Sequence, residues 1–141
     1  MVLKCMVLLA EDFEDTRDVY AFYLRREGFT VHDLPDGERV LTLALEMQPD
    51  VVVLDLALPG VDGYALAAAL RAHPVTARIP IVVLSAHAYP EDEQRARDAG
   101  AAAFLRKPCL PAELAETLRA VSENCRTPLA APESGQPAAA V

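Results

Sequence analysis

Apolar runs of strand length recur along the chain at residues 5–10, 29–34, 51–56, 79–84 and 102–105, with longer stretches of mixed character between them. That alternation predicts strands joined by helical crossovers, and therefore an α/β domain built on a parallel sheet. Residues 51–54 and 81–84 are apolar at every position and not at every second one, as expected of central strands covered on both faces. Between the runs, Val19, Phe22, Tyr23 and Arg26 keep a spacing of three or four, as do Val40, Leu41, Ala44 and Leu45, and then Leu66, Ala67 and Leu70. Each set predicts one face of a helix. Leu110, Leu114, Leu118, Val121 and Cys125 form one stripe and predict a final helix. Pro111 falls in its first turn, where the missing N–H of proline is tolerated. The turn-forming stretches Glu27-Gly28, Pro35-Asp36-Gly37, Pro59-Gly60, Asp62-Gly63 and Ala99-Gly100 all lie between these elements.

With 141 residues and 52% hydrophobic content, the chain can bury one core but not two of ordinary size. After Arg126 the composition shifts to Pro, Ala, Ser and Gly without helical periodicity. The expected organisation is one domain over residues 1–125, followed by a disordered tail or linker over 126–141. A net charge of -8 opposes the counterion release that drives nucleic-acid binding and also disfavours anionic membranes. Glu11 and Asp12 cut the first apolar run too short for a signal-peptide core or a bilayer span. These features predict a soluble cytoplasmic protein with no direct nucleic-acid or membrane contact. Cys5, Cys109 and Cys125 are odd in number, lack CxxC spacing and have no histidine at ligand spacing. All three are expected as reduced thiols, with neither a disulfide nor a zinc site.

Ligands of an open parallel sheet gather beyond the C-terminal ends of its strands. At those positions the chain places Glu11 and Asp12 after the first strand, Asp55 at the end of the third, Ser85 at the end of the fourth and Lys107 after the fifth. Three crowded carboxylates repel one another, so a raised pKa or a bound cation is expected among them. Oxygen-only ligation points to magnesium, which commonly takes one or two carboxylates together with phosphate oxygens and water. An aspartate carboxylate attacks phosphorus to form an acyl phosphate when the charge of the transferred group is neutralised. Lys107 and a cation supply that neutralisation, and Ser85 adds a hydroxyl donor.

The motifs Ala10-Glu11-Asp12, Leu54-Asp55-Leu56-Ala57-Leu58-Pro59-Gly60-Val61-Asp62-Gly63, Leu84-Ser85-Ala86 and Arg106-Lys107-Pro108 resemble those of response-regulator receiver domains, in order and at family-like intervals over residues 4–125. The resemblance implies a CheY-like, flavodoxin-like fold with strand order 2-1-3-4-5, helices on both faces and a cis Lys107-Pro108 peptide. It further implies that Asp55 is the phosphoacceptor, that Glu11, Asp12, Asp55 and the Ala57 carbonyl hold magnesium or manganese, and that Ser85 and Lys107 bind the phosphate. Ser85 and Phe104 match the family's switch positions. Two departures stand out: Leu58 replaces a common methionine, a tolerated apolar exchange, and Phe104 lacks the hydroxyl of the commoner tyrosine.

The function implied by this resemblance is that of a stand-alone two-component response regulator. It would accept a phosphoryl group from a histidine kinase or phosphotransfer protein, catalyse its own phosphorylation and dephosphorylation without being an enzyme in the ordinary sense, and present a changed surface to a downstream protein or to a second copy. The alternative from the binding class is a receiver-like interaction module that works without phosphate. A haloacid-dehalogenase type phosphatase also uses an aspartate at a strand end, but it needs a second one two residues on, where this chain has Ala57. Taken singly, Asp12 and Asp62 read equally well as helix caps, and His32, His73 and His87 as solvated side chains. Cys109 reads as a small buried filler beside Lys107 and the 91–98 charge cluster as a solvated helix face, in a region the family uses for partner contacts.

Overall fold

The computed structural model describes residues 5–87 and 89–126. Five strands, β1 (Met6–Ala10), β2 (Thr30–Leu34), β3 (Val51–Asp55), β4 (Ile81–Ser85) and β5 (Ala103–Arg106), form one parallel sheet in the order β2-β1-β3-β4-β5. The connecting helices are α1 (Glu14–Arg26), α2 (Val40–Met47), α3 (Gly63–Ala72) and α4 (Pro90–Asp98), and after β5 come α5 (Pro111–Val121) and a short α6 (Glu123–Arg126). The expected tail, beyond Arg126, lies outside the described residues.

The two-residue period of the strands divides the core into two layers. Val7, Leu9, Val53 and Leu84 face Tyr20 and Leu24 of α1 and Leu114 and Leu118 of α5. Leu8, Leu54, Ile81 and Val83 face Val40 of α2, Leu66 and Leu70 of α3 and Ala96 of α4. Every residue of β3 and β4 is buried, as their unbroken apolar runs require. At roughly 1.5–3 kcal/mol for each fully buried large aliphatic side chain, these two layers supply the main force holding the sheet to its helices.

Three expectations are corrected. The inward face of α1 consists of Tyr20, Ala21 and Leu24, whereas Val19 and Phe22 are 54% and 64% exposed. Apolar residues stand on both sides of that helix, so periodicity alone does not choose between the two faces; packing on β1 and α5 does. The last helical stripe is not continuous, because Ser122 takes extended backbone (φ -127°, ψ 124°) and separates α5 from α6. Finally, Cys5 and Cys125 are not reduced thiols but form a disulfide across 120 residues, with Cα atoms 4.7 Å apart. No local spacing announces this pair. The fold creates it by bringing the residue before β1 beside the segment after α5.

Candidate functional site

Each functional side chain lies at the C-terminal edge of the sheet because the strand hydrogen bonding continues one step into each loop. Glu11 N–H donates to the Leu34 carbonyl at 3.0 Å, Leu56 N–H to Leu84 at 3.1 Å and Lys107 N–H to Ser85 at 2.8 Å. The loop after Asp55 also packs closely on the start of α3. A Cβ on Gly63 would come within 2.8 Å of Leu56 Cδ2 and 3.0 Å of its Cα, so only glycine fits there. Asp62 caps α3 by accepting from Tyr64 N–H at 2.9 Å, so the ordinary capping role holds for this residue.

Side-chain oxygens of Glu11, Asp12 and Asp55 lie within 4.8 Å of one another. Lys107 Nζ sits 2.6 Å from Asp55 Oδ2 and 2.9 Å from Glu11 Oε1. The other Asp55 oxygen, Oδ1, accepts from Ala57 N–H at 2.9 Å, and Glu11 Oε2 accepts from Phe13 N–H at 3.1 Å. Glu11 is 0% exposed, and its Oε1 has the ammonium contact but no well-aligned hydrogen bond. Burial raises the Glu11 pKa above the usual carboxylate value, against the opposing pull of Lys107 and the Phe13 N–H, and the charge of Asp55 adds to the rise. For Lys107, burial alone would lower the pKa. Its contacts with Asp55 and Glu11 outweigh burial and hold the ammonium above the ordinary lysine value.

One ammonium facing three carboxylates leaves a formal charge of -2 in the pocket. Among the described residues, its candidate ligand atoms are carboxylate oxygens, and a buried one of them lacks an aligned donor, so the residues present fit a hard divalent cation. Such a pocket is able to bind a metal.

Ser85 is buried, and its hydroxyl is engaged within its own loop, donating to the His87 carbonyl at 2.8 Å and accepting from His87 N–H at 3.0 Å. The Lys107-Pro108 peptide is cis. Phe104 is half-buried against the α2–α4 layer, Leu58 is buried in that layer, and His87 is exposed. Cys109 is buried and free, and burial raises its thiol pKa, in keeping with a filler. Sequence reasoning missed two residues of α1. Arg17 Nη1 donates to the Glu11 carbonyl at 3.0 Å, and the buried Tyr20 hydroxyl donates to the Cys109 carbonyl at 2.8 Å. Neither carries a motif; a polar atom on the inward helical face is the only signal they offer.

A doubly wound parallel sheet gathers its ligands beyond the C-terminal ends of its strands, and in this α/β domain that place is taken by an acidic, lysine-paired pocket. The model of the response regulator receiver domain matches residues 7–119, and the chain belongs to that family. It is 34% identical over 129 residues to the DNA-binding dual master transcriptional regulator RpaA of Synechocystis, a match covering 91% of this chain and 54% of RpaA. The chain thus spans about half the length of DNA-binding relatives of this kind. Among solved structures it is similar to the chemotaxis response regulator CheY4 of Vibrio cholerae, with a TM-score of 0.79 and 29% identity, covering 84% of this chain and 98% of CheY4. The receiver domain of the sensor histidine kinase PA1611 from Pseudomonas aeruginosa aligns with a TM-score of 0.77 and 31% identity, covering 84% and 97% of the two chains. That receiver has magnesium coordinated in its active-site cleft. The chain is therefore a receiver domain of two-component signalling. Among the described residues, no helix is long and apolar enough to cross a membrane.

Proposed function

We propose that Asp55 is the phosphoryl acceptor of a switch driven by a histidine kinase or a phosphotransfer protein. The observation that carries this reading is the Lys107 ammonium 2.6 Å from Asp55 Oδ2, in a pocket shared with Glu11 and Asp12. A carboxylate oxygen of Asp55 attacks the phosphorus of a phosphohistidine. The new P–O bond forms as the P–N bond breaks, and the electron pair returns to the imidazole. Glu11, Asp12, Asp55 and the Ala57 carbonyl would hold a divalent cation, magnesium or manganese. When bound, this ion neutralises charge on the phosphoryl oxygens.

The same residues account for switching. Lys107 follows the new negative charge, and the Ser85 hydroxyl leaves the His87 carbonyl to donate to a phosphoryl oxygen. That exchange pulls the loop after β4 toward the site, and Phe104, on the neighbouring strand, repacks with it. A preference of a few kcal/mol between the two arrangements suffices to shift the population. Attack by water on the acyl phosphate resets the domain. Access for a donor is supported by a groove of about 510 Å³ between α1 and the start of α5, lined by Val19, Tyr20, Ala86, Lys107 and Pro108. Phe13 and Leu110 are exposed apolar residues on the loops that lead into α1 and α5.

The test is phosphoryl uptake. Incubated with acetyl phosphate and magnesium chloride, the chain should gain the mass of one phosphoryl group, and Asp55→Asn should gain none. No uptake by the unmodified chain would overturn the reading and leave a phosphate-independent binding module in its place, and equal uptake by the variant would overturn Asp55 as the acceptor.

A further inference from the structure

We propose that Tyr20 is a positioning residue for Lys107, holding the segment between β5 and α5 through its hydroxyl so that the ammonium meets Asp55. The inference rests on the function proposed above for Asp55 and Lys107. Tyr20 is 4% exposed, and its hydroxyl donates to the carbonyl of Cys109, 89 residues away in sequence and two residues past Lys107. At the other end of this segment, Lys107 N–H donates to the Ser85 carbonyl at 2.8 Å. The stretch carrying the ammonium is therefore fastened on both sides, once by the sheet and once by α1.

The second fastening has a chemical reason. Pro108 and Pro111 have no N–H, and the Leu110 N–H is taken up by Glu113 Oε1 at 3.0 Å at the start of α5, so none of these ties the segment to the acidic side of the sheet. The Tyr20 hydroxyl supplies a tie from α1, through the Cys109 carbonyl. An aliphatic residue in place of Tyr20 would fill the same layer against Leu114 and Leu118 but could not reach the carbonyl. One turn earlier on the same helix, Arg17 grips the Glu11 carbonyl at 3.0 Å. α1 thus holds the acidic loop with one side chain and the lysine loop with another, fixing their separation. The flexible Lys107 side chain can follow one acid through small backbone shifts, but Nζ meets Glu11 at 2.9 Å and Asp55 at 2.6 Å at once, and that double contact narrows the backbone positions that serve both.

Tyr20→Phe keeps the ring and removes only the hydroxyl. Its phosphorylation rate with acetyl phosphate and magnesium is expected to fall about three- to tenfold, the effect of one neutral hydrogen bond. The 13C and 1H signals of the Lys107 Cε methylene should shift or broaden, while the amide signals of Asp12 and Asp55 stay in place. A general loosening of the fold would move all of them. Unchanged Lys107 signals overturn the inference, whether or not the rate falls. In the unmodified chain, the Tyr20 hydroxyl proton is expected in slow exchange with solvent, and fast exchange overturns the inference even if the variant folds poorly. If the unmodified chain takes up no phosphoryl group, the proposed function falls, while the Lys107 and hydroxyl signals still decide the role of Tyr20.

Discussion

Lys107 reaches Asp55 across 52 residues of sequence, and the same nitrogen lies 2.9 Å from Glu11. One cation thus neutralises parts of two buried acids whose strands are neighbours in the sheet. Nearly every property expected of the site depends on this shared contact.

Removing the ammonium leaves two buried carboxylates without their main counter-charge. Lys107→Met, which keeps an unbranched stem one atom shorter and removes the ammonium, should lower stability by about 1–3 kcal/mol and slow phosphorylation. Lys107 is itself part-exposed, which places the loss nearer the lower figure. Thermal melts with and without magnesium chloride check this, because an added divalent cation should raise the melting temperature of the variant more than that of the parent. An equal rise in both would show that the ammonium and the metal do not act on the same charge.

Metal affinity should depend on pH in a direction set by Glu11. Its folded-state pKa is raised, chiefly by burial, so it takes up a proton at a higher pH than an ordinary carboxylate. A protonated ligand does not bind the cation, so magnesium affinity should decline with acidification starting above the usual carboxylate range. Calorimetric titration at about pH 5 to 8 reads this directly. Glu11→Gln should bind more weakly at every pH and lose most of the dependence; an unchanged profile in that variant would assign the titration to another group.

Tyr20 gives a separate signature in alkali. Burial raises its phenol from 10.0 to about 12. Because the folded value is the higher one, the native state holds this proton more tightly than the unfolded chain does. The stability linked to it is complete below pH 10.0 and is lost as the pH rises toward about 12. Absorbance titration should show a late tyrosinate step that Tyr20→Phe lacks. Its persistence in the variant would move the late step to another of the four tyrosines.

The Cys5–Cys125 bond closes almost the entire described chain into a loop. Chain-entropy arguments give about 3–5 kcal/mol for a loop of that size, so a reductant should lower the melting temperature, and Cys5→Ser should match the reduced parent. Cys109→Ser, at the free thiol, should respond to reductant as the parent does. Thiol counting under denaturing, non-reducing conditions gives one reactive group if the bond is present, and three would contradict it.

The legibility of each feature in the sequence depends on the range of the interaction behind it. β3 and β4 are visible as unbroken apolar runs, and Asp55, Glu11, Asp12 and Lys107 are visible because each stands where a strand or its loop ends. The inward face of α1 is not, since Val19 and Phe22 keep helical spacing as well as Tyr20 and Leu24 do, and only β1 and α5 decide between them. The break at Ser122 is a single residue in extended backbone, which an apolar stripe does not register. Cys5 with Cys125, and Tyr20 with Cys109, meet only after the chain has wound both ways around the sheet. Distant pairings of this kind leave no local pattern behind.

The covalent link from Cys5 to Cys125 of α6 lies at the opposite end of β1 from the acidic loop. That margin is sewn shut, so the chain end that follows α5 stays tethered to the start of β1 while the margin carrying Asp55 and Lys107 has no covalent tie between its loops among the described residues.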